Sequence, residues 1–83
     1  MDWMNVFSSE DIGAYIAHLR IGEGLTQADF AERIGVSRPT ISSLENGGAV
    51  SARLMVKAIN SLGSRLVIVP KSAAVTVREL PHE

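Results

Sequence analysis

The sequence predicts a mainly α fold of four to five short helices, followed by one short β-strand near the C-terminus. Two observations support this: apolar residues recur at helical spacing between capping residues and glycines, and a β-favouring run, Leu66 to Val69, ends at a proline. A chain of 83 residues allows one domain with a modest core. We expect an N-terminal arm at 1–9, a helical domain at 10–63, a strand at 64–70, and a tail at 71–83 that is either a second strand or disordered.

The composition excludes several classes of protein. The chain has no cysteine, so it can form neither disulfides nor thiolate metal sites. Asp2 precedes the first basic residue, Arg20, so the pattern of a signal peptide is missing, and no apolar run approaches the length of a membrane span. We therefore expect a cytoplasmic protein. The formal net charge of −1 argues mildly against DNA binding, because nucleic-acid modules usually carry a basic excess.

The arm and the first helix lead into the domain. The arm contains Trp3 and Phe7, which either pack against the domain, the favoured interpretation, or bind a partner. Ser8 or Ser9 caps the first helix. Its buried stripe is expected to contain Ile12, Ile16 and Leu19 with Tyr15 alongside, and Gly22 and Gly24 end it.

The stretch from Leu25 to Gly47 predicts two short helices joined by a tight turn. Thr26 and Asp29 form a capping box at the start of the first, and Gly35 ends it. Ser37 or Arg38 caps the second, because Pro39 is tolerated only in a first turn. The first helix carries the apolar stripe Ala28, Phe30, Ala31 and Ile34, and Asn46-Gly47 ends the second.

The second of these helices has an apolar face and a small polar face. At about 100° per residue, Ile41 and Leu44 share the inner side. The outer side presents Pro39, Ser42 and Ser43, with Arg38 at its edge. A small polar face with one guanidinium suits contact with base edges and phosphates in a DNA groove.

This stretch resembles the helix-turn-helix of the Xre family, the fold of the lambdoid phage repressors. The match is most specific in Leu25-Thr26-Gln27, Gly35-Val36-Ser37, Thr40-Ile41-Ser42 and Leu44-Glu45-Asn46-Gly47. The resemblance implies a lambda-repressor-like bundle that binds double-stranded DNA.

The resemblance also implies roles for individual residues. Arg20 and Glu45 would form a structural salt bridge between the first helix and the recognition helix. Gln27 would contact a phosphate and brace the recognition helix, unless it is a simple surface residue, and Asn46 is either a phosphate ligand or a C-cap only. Arg38 would read a base or a nearby phosphate. The expected DNA-binding residues are Gln27, Ser37, Arg38, Pro39, Thr40, Ser42, Ser43 and Asn46.

A further helix follows a loop and begins after Ser51. Its core stripe is expected to contain Met55, Ala58, Ile59 and Leu62, widened by Leu54 and Val56. Arg53 and Lys57 lie four residues apart on one face, which is either a solvated face or a pair of phosphate ligands.

The predicted strand needs a partner, because a lone strand cannot satisfy its own backbone hydrogen bonds. Its residues do not alternate in polarity, which is typical of a strand covered on both faces. The tail from Ala74 to Leu80 could fold back through a turn at 70–73, or the strand could pair with its copy in a second protomer. We favour the pairing between protomers, which would present two recognition helices to a pseudo-palindromic site. The strand residues are Arg65, Leu66, Val67, Ile68 and Val69.

The order of these elements, ending in SLGSRLVIVPK, is similar to HipB-like antitoxins. That resemblance implies a homodimeric repressor of its own operon, without a cofactor, that also neutralises a HipA-like serine/threonine kinase toxin. Two alternatives remain: a stand-alone regulator without a toxin, and a dimeric protein-interaction domain that has lost DNA binding. An enzyme is not expected, because His18 and His82, the only histidines, have no metal-ligand or catalytic spacing.

Overall fold

The computed structural model describes residues 3–81, so Met1, Asp2, His82 and Glu83 lie outside it. Within that range the chain forms four α-helices and no β-strand. The predicted helical bundle is confirmed with four helices. They are α1 (Ser9–Gly22), α2 (Gln27–Ile34), α3 (Arg38–Glu45) and α4 (Ala52–Ser61).

Each helix begins after a hydroxyl side chain that accepts a hydrogen bond from a backbone N–H of the first turn. The four caps are Ser8, Thr26, Ser37 and Ser51. The sequence left two N-caps open. The structure shows that Ser8, not Ser9, caps α1 and that Ser37, not Arg38, caps α3. Proline occupies the second position of α3, where the missing N–H would have had no partner within the helix.

The predicted capping box of α2 is present. Thr26 accepts a hydrogen bond from the Asp29 backbone at 3.0 Å, and the Asp29 carboxylate accepts one from the Thr26 backbone at 3.0 Å. The hydrogen bond that the Asp29 carboxylate accepts from the Thr26 backbone N–H lowers the pKa of Asp29, and the Thr26 hydroxyl lowers it further. The helix ends at Gly35, whose φ of +76° is left-handed and turns the chain sharply into α3.

One apolar core joins all four helices. Phe30, Ile16 and Ile41 are fully buried at its centre. Ile34 and Leu44 lie beside them as predicted, and Ile12 and Leu19 pack against the core while partly exposed. The remaining buried members are Ala31, Ala58, Ile59 and Leu62.

Two apolar residues assigned to the core are exposed. Ala28 lies in the first turn of α2 with its side chain in solvent, so the buried stripe of α2 begins only at Phe30. Val56 is 43% exposed and does not widen the core of α4. The apolar stripe predicted from spacing therefore contains one exposed residue in each of these two helices. Helices of eight and ten residues in a small bundle bury only a narrow stripe of side chains.

Gly13 sets the distance between α1 and α3. A Cβ at this position would lie 2.5 Å from the backbone carbonyl oxygens of Leu44 and Glu45. Only glycine lets the backbone of α1 approach the last turn of α3 this closely. The sequence analysis assigned no role to Gly13, because a contact between residues so far apart in the chain leaves no local pattern.

The N-terminal arm packs against the domain only in part. Phe7 is 75% exposed and is not tucked in, whereas Trp3 is 39% exposed, so more than half of its surface is covered. Met4 is half-buried and lines a shallow apolar cleft with Tyr15 and His18 of α1. Phe7 donates its backbone N–H to the Asp11 carboxylate at 2.9 Å, which holds the arm against the start of α1.

The C-terminal segment after α4 forms neither a helix nor a paired strand within residues 3–81. A turn does form at 70–73, closed by a 2.9 Å hydrogen bond from the Ala73 N–H to the Pro70 carbonyl. No backbone hydrogen bonds link the two sides of this turn beyond it, so the described chain contains no hairpin. Apolar side chains of the predicted strand lie in solvent, Val67 at 68% exposed and Ile68 at 97%.

Candidate nucleic-acid interface

Helix α3 turns a polar surface outward. Its inner face is anchored by Ile41 and Leu44, both buried in the core. On the opposite side Arg38, Pro39 and Ser43 are exposed to solvent, as the helical wheel predicted. The neighbouring helices α1 and α2 therefore hold α3 from behind and leave this outer surface free.

The hydroxyl groups at the start of α3 are tied to each other. The Ser37 and Thr40 hydroxyls lie 2.8 Å apart in a hydrogen bond in which either can donate, and Ser37 also caps the helix. Ser37 is exposed and Thr40 half-buried. Ser37 is thus able to present a lone pair or its proton to a ligand while its capping role is maintained.

The far end of the outer surface is more enclosed than expected. Ser42, predicted to lie on it, is half-buried, and its hydroxyl lies 3.5 Å from the Asn46 amide nitrogen, which donates to it. Asn46 is the C-cap residue of α3 and is exposed. Beyond it, the Gly48 N–H donates to the Ser43 carbonyl at 2.8 Å, which closes the turn after the helix.

The carboxylate of Glu45 joins three segments of the chain. It accepts hydrogen bonds from Arg20 Nε at 2.6 Å and Arg20 Nη2 at 3.0 Å, in a fork-to-fork arrangement. Arg20 Nη1 also donates to the Leu25 carbonyl at 2.7 Å. The salt bridge implied by the resemblance is therefore present, and it ties α1 and the loop before α2 to the end of α3.

This ion pair is largely withdrawn from water. The side chains of Arg20 and Glu45 are only 12% and 6% exposed. The hydrogen bond to Glu45 raises the pKa of the Arg20 guanidinium above its ordinary value, against the opposing effect of burial. By contrast, the ion pair between Arg33 and Glu23 is about 40% exposed on each side.

Gln27 belongs to the same network. It is half-buried, and its amide Nε2 donates to Glu45 Oε1 at 3.2 Å. This is the bracing contact that the resemblance implied between α2 and the recognition helix. It excludes the interpretation of Gln27 as a simple surface residue, while its contact with a phosphate stays a prediction.

The charges are distributed unevenly, which the net charge conceals. Residues 46–78 contain no aspartate or glutamate. Within residues 3–81, ion pairs join Arg20 to Glu45 and Arg33 to Glu23. Both pairs lie before residue 46, so neither involves a basic residue of 46–78. The absence of acidic residues from 46–78 can be read from the sequence, but the net charge of the whole chain hides it. The basic residues of 46–78 are Arg53, Lys57, Arg65, Lys71 and Arg78, all exposed.

The helix-turn-helix family model matches residues 16–69, which is more than half of the chain. This chain belongs to the helix-turn-helix family. The family and the fold together make the protein a DNA-binding regulator rather than an enzyme. Within residues 3–81, no cluster of side chains could hold a metal ion and no helix is long and apolar enough to cross a membrane.

Several solved structures share the fold of this helix-turn-helix protein. One is a HipB variant in complex with an O2 20mer, with 24% identity and a TM-score of 0.75, covering 84% of this chain and 99% of the other. A second, the "HipA-HipB-O2-O3 complex", has 22% identity and the same TM-score of 0.75, covering 84% of this chain and 100% of the other. A third, the clp gene regulator ClgR from Corynebacterium glutamicum, has 30% identity and a TM-score of 0.64, covering 75% of this chain and 67% of the other. No curated protein sequence matches the chain.

Proposed function

We propose that this protein is a sequence-specific transcriptional repressor and the HipB-like antitoxin of a toxin-antitoxin operon. It represses its own operon and neutralises a HipA-like serine/threonine kinase toxin. The observation that carries the DNA-binding part is the outward surface of α3, which is bonded to α1 through Glu45 and presents Arg38 to solvent. The antitoxin part rests on the shared fold with HipB, seen in complexes with a 20mer and with HipA.

The proposed contacts follow the exposure of each residue. Arg38 reads a base edge, since a guanidinium can donate two parallel hydrogen bonds to a guanine. Pro39 and Ser43 line the groove beside it, and Ser37 and Asn46 contact phosphates from the two ends of α3. Gln27, Thr40 and Ser42 are half-buried, so only part of each side chain can reach the DNA. They also position the neighbouring residues Glu45, Ser37 and Asn46, to which they are hydrogen-bonded.

We also propose that the protein is a homodimer. The backbone of 65–69 lacks strand partners within residues 3–81, and its apolar side chains are exposed. A second copy supplies both the missing hydrogen bonds and the missing cover, because a strand can pair with itself around a two-fold axis. The dimer then places two α3 helices on half-sites about one turn of DNA apart.

Replacing Arg38 by alanine should weaken binding to the operator by about 1–3 kcal/mol and relax base preference at one position of each half-site. Binding is measured by fluorescence anisotropy on operator variants with single base changes. Arg33→Ala is the matched control, because Arg33 lies in α2 rather than α3 and is already paired with Glu23. If Arg38→Ala loses affinity equally on every sequence, Arg38 contacts phosphate and does not read a base.

Ending the chain after Gly63 should produce monomers and reduce operator affinity. The four helices and their core remain in this variant, since no residue beyond Leu62 is part of the core described within residues 3–81. Light scattering measures the mass, and circular dichroism checks that the helices are kept. A truncated protein that is folded and still dimeric would show that the strand pairing is wrong.

The alternative function is a stand-alone regulator without a toxin. It is favoured by the 30% identity to ClgR, which is a gene regulator. Co-expression with the product of the adjacent gene distinguishes the two functions. An antitoxin should co-purify with a kinase-like neighbour and restore growth that the neighbour alone prevents, whereas a stand-alone regulator should do neither while still binding its operator.

A further inference from the structure

The N-terminal arm and the outer side of α1 together form an apolar surface that the proposed DNA contact does not use. The sequence has two Phe, one Trp and one Tyr, and all of them except Phe30 lie in the arm or in α1. Phe7 of the arm is 75% exposed. Aromatic and Met side chains grouped around a cleft are typical of a protein interface. We call this group the arm surface, and its members are Trp3, Met4, Phe7, Ala14, Tyr15 and His18.

The arm surface lies on the side of α1 that faces away from α3. The Phe7 backbone is bonded to Asp11 in the first turn of α1, and Met4 lies in the cleft beside His18, so the arm runs back along the helix. The backbone of Gly13 approaches α3. At about 100° per residue, Asp11 and His18 lie about 140–160° around the helix from Gly13. A partner bound to the arm surface therefore leaves α3 uncovered.

The charge around the arm surface is acidic. Residues 1–19 contain three acidic residues and no lysine or arginine. Two of the acidic residues, Glu10 and Asp11, lie in the first turn of α1, where Glu10 is exposed and Asp11 half-buried. An acidic surface repels the phosphate backbone of DNA and is complementary to a basic surface of a protein. The charge thus excludes DNA as the ligand of the arm surface and favours a basic protein.

A second copy of this chain does not suit the arm surface. A two-fold contact would place the same acidic residues opposite each other, and such contacts between like charges are unfavourable. A contact between the arm surface of one copy and the basic stretch 46–78 of another would be head-to-tail, which forms rings or open filaments instead of a dimer. The observations therefore favour a different protein.

We propose that the arm surface binds the protein partner of this chain. This inference rests on the proposed antitoxin function, and it assigns the surface that meets the toxin. The partner inserts an apolar side chain into the cleft between Met4, Tyr15 and His18, and it presents lysine or arginine side chains to Glu10 and Asp11. Phe7 lies against the partner, because an exposed aromatic ring gains most from burial in an interface.

The test is binding of the full chain carrying Phe7→Ala to the purified product of the adjacent gene, measured by isothermal titration calorimetry. Truncation of an aromatic anchor commonly weakens an interface by about tenfold or more, and we expect a loss of that size. A second variant, Ala14→Arg, fills the cleft and opposes the basic residues of the partner, so it should weaken binding at least as much. Both residues are exposed, so circular dichroism and binding to the upstream DNA should not change.

Val56→Ala is the matched control, because Val56 is an exposed apolar residue of α4 outside the arm surface. It should bind the gene product as tightly as the unaltered chain does. Unchanged affinity of either Phe7→Ala or Ala14→Arg overturns the inference, while the antitoxin function stands. A lower mass of Phe7→Ala in light scattering would overturn it too and assign the arm surface to a second copy. A gene product that does not bind the unaltered chain overturns the antitoxin function together with this inference.

Discussion

Replacing Glu45 by alanine should lower the free energy of unfolding by about 3–5 kcal/mol. The change leaves the Arg20 guanidinium, only 12% exposed, without the carboxylate that compensates its burial. It also removes the acceptor of the Gln27 amide. Since a domain of this size is stable by only about 5–15 kcal/mol, the loss is a large part of the total. Urea unfolding followed by circular dichroism measures it.

The exposed ion pair provides the matched control for Glu45. Glu23→Ala removes the partner of Arg33, and it should cost about 1 kcal/mol or less because both side chains are well solvated. The double replacement Arg20→Met with Glu45→Leu should recover most of the stability, since it leaves no buried charge behind. Equal losses for Glu45→Ala and Glu23→Ala would mean that burial of the Arg20–Glu45 pair contributes nothing.

Replacing Gly13 by alanine should destabilise the protein by about 2–3 kcal/mol. In an open helix the same change is favourable, because alanine has the higher helix propensity. Here the new methyl would lie 2.5 Å from two backbone carbonyl oxygens at the end of α3. The two helices must separate, and the Arg20–Glu45 hydrogen bonds that join them lengthen.

Gly22 is the control for Gly13 in the same helix. A Cβ at Gly22 meets no atom within 4 Å, and its φ is not positive. Gly22→Ala should therefore leave stability unchanged or raise it by up to about 1 kcal/mol. Thermal unfolding of both variants distinguishes the effects. A neutral or stabilising Gly13→Ala would show that α1 and α3 have room to relax.

Local signals in the sequence predicted most of the helical fold. Capping side chains such as Thr26, the glycine at 35 and the spacing of Ile41 and Leu44 act within one or two turns, so they can be read directly. The close approach at Gly13 and the half-burial of Ser42 depend on packing between helices, which spacing alone does not reveal.

The candidate site was predictable in part for the same reason. The outward position of Arg38 on α3 follows from helical geometry. The Arg20–Glu45 pair, however, joins residues that are 25 apart in the chain, so it could be expected only from the resemblance to a known family. The strand at 65–69 stays a proposal, because its backbone has no strand partner within residues 3–81. The basic stretch 46–78 could have been read from the sequence by counting charge in segments.

The most direct test of the account is binding of the unaltered protein to the DNA upstream of its own gene. Fluorescence anisotropy at several salt concentrations compares this DNA with a scrambled sequence of the same length and composition. The account predicts tight binding to the upstream DNA that weakens with salt, and a clear preference over the scramble at every concentration. Equal binding to both sequences, or none at low salt, would contradict the proposal that α3 reads DNA.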